Sequence, residues 1–235
     1  MLNMKSQTLT LEDGQDLALN QSMTRVFGLM FMGLLVSAIT AFFTLRSPVL
    51  LNLVFGSTIR MYIFMFAPLA FIIALNFVWK MSSQLAFFLF FAFATIMGMT
   101  LSSIFFIYEI ETIALAFVSA AGMFGVMAIF GLITKKDLTR IGSLLIMALI
   151  GVIIASIGNI FFANSILDTI IPYVTIVIFL GLTAHDAQRI KKQIIEHMDK
   201  QGNVPVAVTI QGALHLYLDF LNLFLALLKI FGRRR

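Results

Sequence analysis

Apolar residues in this chain come in long runs, and polar residues are concentrated in the short gaps between them. A helix that crosses the ~30 Å hydrocarbon layer needs about 20 mostly apolar residues. By that rule the pattern predicts seven spanning helices, at approximately 25–45, 61–79, 85–107, 112–133, 143–163, 169–185 and 206–231. The fold class expected is an all-α integral membrane protein. Residues 1–24 read as a polar N-terminal tail carrying Glu12, Asp13 and Asp16, with no apolar core. No cleaved signal peptide is therefore expected, and the first span serves as the insertion signal. Residues 25–235 are expected to form one membrane domain. Most connections are short. The stretch from Arg189 to Pro205, with Lys191, Lys192, Glu196, His197, Asp199 and Lys200, reads as a solvated loop.

Composition narrows the choice. The 235 residues are 60% hydrophobic and 11% charged, with a mean hydropathy of +1.02, and a soluble domain needs far more polar surface than that. The formal net charge of +5 does not point to nucleic acid, because the basic residues lie at helix ends and in short loops. There they set orientation and contact anionic head groups, so the expected partner is the lipid bilayer. With the N-terminus inside, the inner segments hold Lys5, Arg25, Lys80, Lys135, Lys136, Arg140, Arg189, Lys191, Lys192 and Lys200. The outer loops hold Arg46, Arg60, Glu109, Glu111 and Asp168. Lys229 and Arg233 to Arg235 run against this asymmetry. A full seventh crossing leaves them outside and a re-entrant helix keeps them inside; the length of the segment favours the full crossing. The absence of cysteine excludes disulfides, thiolate metal sites and cysteine nucleophiles. Small residues at Gly98, Thr100, Ser102 and Ser103, and at Gly151, Ala155 and Asn159, are expected to let helices pack closely.

The last span carries the strongest chemical signal. Asp219 sits near the middle of an almost wholly apolar run, and a carboxylate at membrane depth costs several kcal/mol unless paired or protonated. Gln211, His215 and Asp219 follow at four-residue intervals and Asn222 three further on, so all four share one helix face. This polar stripe must face an interior. His215 is expected either to bond Asp219 across one turn or to handle protons itself. On the first alternative, His215→Leu should leave Asp219 without its local partner. Asp186 lies at the inner end of the sixth span, either as a solvated helix-end residue with Arg189 as its i+3 partner or as part of the site. Lys80 closes the inner end of the second span as an anchor that could reach an inner-side carboxylate.

Five runs resemble one known family. They are Gly98-Met-Thr-Leu-Ser-Ser-Ile104, Thr134-Lys-Lys-Asp-Leu138, Met147-Ala-Leu-Ile-Gly151, Gly181-Leu-Thr-Ala-His-Asp186 and Leu216-Tyr-Leu-Asp-Phe-Leu-Asn-Leu-Phe224. Together they are similar to the bacterial branch of the transmembrane Bax-inhibitor-motif (Bax inhibitor-1) family, from about Arg25 to Arg235. The resemblance implies a multi-pass protein of the bacterial cytoplasmic membrane whose last helix is central among the other six. It also implies a pH-sensitive calcium leak controlled by two aspartates that share a proton, and these match Asp186 and Asp219. A basic residue at the inner end of the second helix pairs with the first aspartate in the closed state of related bacterial proteins, and Lys80 is the nearest match. Two positions depart from the pattern. The residue before the first aspartate is usually Tyr and is His185 here, and His215 stands where a neutral residue is expected. The pH midpoint therefore need not follow the family.

Three function classes follow. The first is a passive cation pathway for Ca²⁺, gated by protons. Two carboxylates with Gln211 and Asn222 offer oxygen ligands to this hard cation but too little charge for tight binding. The second is a non-transporting regulator that binds another membrane protein, such as a membrane protease. An enzyme is the third class, and it is not expected. The Gly-x-Gly-Asp signature of intramembrane aspartyl proteases is missing, since Leu216-Tyr217-Leu218 precedes Asp219. There is no His-Glu-x-x-His run, and no lysine lies in mid-span. No cofactor is expected.

Overall fold

Residues 2–75, 82–199 and 201–232 are described by a computed structural model, and their regular elements are all α-helices. In chain order they are α1 (Leu2–Arg46), α2 (Pro48–Phe55), α3 (Thr58–Leu75), α4 (Ser83–Leu101), α5 (Ile104–Ile107), α6 (Ile110–Ile133), α7 (Thr139–Phe162), α8 (Ser165–His197) and α9 (Val206–Phe231). Six segments are long and apolar enough to cross a membrane: Gly14–Arg46 of α1, α4 with α5, α6, α7, α8 and α9. The pair α2 and α3, bent by 90° between them, makes a seventh when counted as one span. Local chemistry separates α2 from α1. Ser47 caps α2 by accepting from the Leu50 N–H at 3.3 Å, and Pro48 occupies the first turn, where its missing N–H does no harm.

Two helices run past the membrane limits read from hydropathy. α8 continues to His197, so the stretch after Arg189 is helical and the loop shrinks to residues 198–205. Ile190 and Ile194, one turn apart, are almost fully buried and hold this polar extension to the bundle. α1 is already helical through residues 14–24, and Met23 and Val26 face the core. Each of these 33-residue segments is about 50 Å long at 1.5 Å per residue. They project from the same end, where Leu19 of α1 meets Ile195 and Met198.

α9 is the axis of the bundle. It packs against α8, α1, α6 and α4, and 16 of its 26 residues are buried. α7 is the opposite case: only Gly142 and Asn159 are buried, and its other faces meet lipid, which is as apolar as they are. Close approach depends on single glycines. A Cβ on Gly98 would strike the backbone of Ser37, and one on Gly131 the backbone of Ala184. Thr100 donates across helices to the Phe64 carbonyl at 3.1 Å. Gly151 does not take its expected packing role. Its surroundings are open, and Asn159 instead donates to Asp168 at 2.9 Å.

α9, the last expected span, runs the full length of the bundle. α9 starts beside Gly202, which touches Ala18, and ends with Gly232 beside the Tyr108 ring. Lys229 reaches Asp168, 3.7 Å away at the far end of the bundle. That acidic partner offsets the positive charge which opposed an outer tail. Reporter fusions are expected to place a tag near Asp137 inside and one after Arg235 outside; both tags on the same side would overturn this crossing.

Candidate functional site

Asp219 is 4% exposed at the centre of the bundle. Among the described residues, its Oδ2 has no hydrogen-bond partner. The rest of the polar stripe does not converge on it. Asn222 donates back to the Leu218 carbonyl of its own helix at 2.8 Å, while Gln211 and His215 are half-buried two turns and one turn toward the inner end, respectively.

Asp186 sits on α8 at the α8–α9 contact, buried and flanked by two imidazoles. His185 Nδ1 lies 2.8 Å from its Oδ1, and His215 Nδ1 lies 4.0 Å from its Oδ2. α8 and α9, which carry Asp186 and Asp219, pack directly against each other. Two expectations are corrected here. The hydrogen bond expected between His215 and Asp219 is not formed. Helical side chains lean toward the helix N-terminus, which for α9 is the inner end, so His215 points away from Asp219 and toward Asp186. Nor does Arg189 pair with Asp186: it is exposed, and His185 takes the position expected for it. Lys80 lies outside the described residues.

Gly142 makes room for the His185 imidazole. A Cβ there would strike the ring, and the ring is the part able to move. The Gly142→Ala variant is expected to fold and to displace His185 from Asp186, altering the pH response of any flux. An unchanged response would separate His185 from the site.

The inner end is fixed by residues that the sequence did not single out. The buried Gln188 accepts from the Leu138 N–H at 2.9 Å and donates to the Lys136 carbonyl at 2.8 Å. Lys191 donates to the Leu132 carbonyl at 3.0 Å. Lys192 pairs with Asp137 at 2.7 Å, and Thr139 donates to the same carboxylate oxygen. Hydrogen bonds from Lys192 and Thr139 lower the Asp137 carboxyl from its ordinary 3.8 to about 2. A depressed value means stabilisation that is fully present above 3.8 and lost as pH falls through about 2. The melting temperature of Asp137→Asn should therefore fall below wild type at neutral pH, and the gap should close on acidification through that range. A constant gap would show that the ion pair is not its source.

Toward the outer end the character changes. Phe220 packs edge-to-face on Phe117 and Phe124, with centroids 5.3 and 5.8 Å apart. An apolar cavity of about 120 Å³ lies beside it, lined in part by Leu34, Ser37, Leu221 and Phe224. The buried Tyr217 hydroxyl is 2.7 Å from Ser37 Oγ. Aromatic side chains thus stand between Asp219 and the outer face. Among the described residues, no group of three or more His, Asp or Glu side chains is arranged to hold a metal ion.

Comparison with known proteins agrees with this architecture. Residues 19–235 match the family described as inhibitor of apoptosis-promoting Bax1. The chain is 40% identical over 215 residues to the inner membrane protein YbhL of Escherichia coli K12, covering 91% of this chain and 92% of that protein. It is 39% identical over 228 residues to an uncharacterized protein of Borreliella burgdorferi, covering 97% and 98% of the two chains. Against the uncharacterized protein RP147 of Rickettsia prowazekii the identity is 37% over 237 residues, covering 100% and 97%.

Proposed function

We propose that this chain, which belongs to the Bax inhibitor family and is a multi-pass protein of the bacterial cytoplasmic membrane, is a passive cation leak for Ca²⁺ gated by Asp186 and Asp219. The observation that carries the reading is the Asp219 carboxyl, buried at mid-span with an oxygen left without a partner, on a helix packed against the one that carries a second buried carboxyl group, Asp186. Such a group is expensive in a membrane and is functional by default.

With one proton between them, the two carboxyl groups can hydrogen-bond and hold α8 against α9. Loss of that proton leaves two like charges in a poorly screened interior, and their repulsion favours separation of the helices. Excess acid neutralises both and removes the attraction for a cation. The edge-to-face packing of Phe220 with Phe117 and Phe124 supports a closed path on the outer side, since apolar constrictions gate by excluding water. His185 and His215 flank Asp186, so their protonation adds positive charge beside the pair. The midpoint belongs to the whole cluster and not to either aspartate alone.

The test is flux from liposomes containing the purified protein, comparing Ca²⁺ with Na⁺ and K⁺ from acid to neutral pH. Ca²⁺ flux that changes with pH is the expected result. The absence of flux at every pH would remove the leak and leave a regulator that binds another membrane protein, such as a membrane protease.

A further inference from the structure

A second polar site lies on the lipid-facing side of the bundle. Between α7 and α8, near their inner ends, is a pocket of about 290 Å³ lined by Thr139, Ser143, Ile146, His185, Arg189 and Lys192, with Gln188 at its back. Its two walls differ in kind. α8 contributes cationic side chains, whereas α7 contributes two hydroxyl residues and then an exposed apolar row, Ile146, Ile150 and Ile153. Among the described residues, no carboxylate lies within ion-pair distance of Arg189. Lys192 does have an acidic partner in Asp137. The surrounding segment adds Lys135, Lys136, Arg140 and Lys191, a clear cationic excess even with Asp137 and the Asp186 carboxyl behind His185 counted.

We infer that this pocket binds the phosphate of an anionic phospholipid, with Arg189 as its main ligand and the acyl chains lying along Ile146, Ile150 and Ile153. A guanidinium without an acidic partner suits a phosphate because its planar donors match the oxygens in pairs. Lipid is favoured over a soluble phosphate by position: the pocket opens beside residues that must face acyl chains. Basic pockets between helices at the cytoplasmic surface take anionic head groups for the same electrostatic reason. This site does not depend on the proposed leak, because binding can be measured without ion flux.

The test is native mass spectrometry of the full-length protein in detergent, titrated with phosphatidylglycerol, phosphatidylcholine or inorganic phosphate. Phosphatidylglycerol is expected to bind about tenfold more tightly than phosphatidylcholine, because both present a phosphate to Arg189 but the choline cation is repelled by the cationic wall. Arg189→Gln should remove most of that preference. Ser143→Phe should do the same by filling the pocket while leaving every charge in place. Arg140→Gln, an exposed cation beside the pocket but not lining it, should leave the preference intact. Equal binding of the two lipids, or an equal loss in Arg140→Gln, would reduce the effect to general surface charge and overturn the site. Displacement of the lipid by inorganic phosphate would overturn the lipid assignment.

Discussion

Ca²⁺ flux in Asp186→Asn and in Asp219→Asn is expected to lose most of its dependence on pH, and the double variant should add little to the stronger single change. The reason is that a shared proton belongs to the pair. Two unit charges about 4 Å apart at an effective dielectric constant near 20 repel by roughly 4 kcal/mol, equivalent to about three pH units of coupling. Replacing either carboxyl group with an amide abolishes that coupling completely. Residues that act as one unit give non-additive effects, whereas independent residues add. Wild-type pH dependence in both single variants would remove the shared-proton gate. The two histidines supply a further contrast. His215 faces Asp186 and not Asp219, so His215→Leu should change the wild-type pH response and have no such effect in an Asp186→Asn background.

Six of the expected crossings were legible because each rests on one strong term, the transfer of about 20 apolar residues into hydrocarbon. Where that term ends, so does its guidance. The extension of α8 to His197 is charged on one side and reads as solvated, while its anchors are Ile190 and Ile194, a spacing of four that fits one helix face. α2 was missed for a different reason: it is apolar, but its 8 residues are too few to span alone, although Ser47-Pro48 carries a cap and a first-turn proline. Asp219 was legible because a carboxylate in an apolar run is conspicuous in one dimension. The partner of His215 was not. Helical spacing says which residues share a face, while the lean of the side chain decides which neighbour it reaches. The role of Gly142 was also hidden, since it depends on a ring from another helix. Gln188 gave no signal at all: nothing in an Ala-Gln-Arg run shows that its amide will meet a loop some fifty residues earlier in the chain.

That same glutamine carries the largest stability effect expected. Gln188→Leu keeps the volume and apolar contacts but removes both polar atoms, leaving the Leu138 N–H and the Lys136 carbonyl without partners. Leu138 is buried, so its N–H bears the full desolvation penalty. Lys136 is exposed, so water can reach its carbonyl. An unsatisfied buried group costs about 1–3 kcal/mol, which places the total near 2–3 kcal/mol, most of it at Leu138. Gln188→Glu should be milder, because its carboxylate still accepts from the Leu138 N–H and gains Lys191 and Lys192 as neighbours. Hydrogen exchange is the direct measurement. The Leu138 amide should exchange roughly 30–100-fold faster in Gln188→Leu, following a factor of ten per 1.4 kcal/mol, with a smaller change in Gln188→Glu. Asp186 lies two residues before Gln188, so the clamp also fixes the segment that carries the first aspartate. Loosening it should broaden the pH response of flux in Gln188→Leu without abolishing it. Unchanged exchange at Leu138 would mean that the loop is held by Lys191 and Lys192 alone, and that Gln188 is not the clamp.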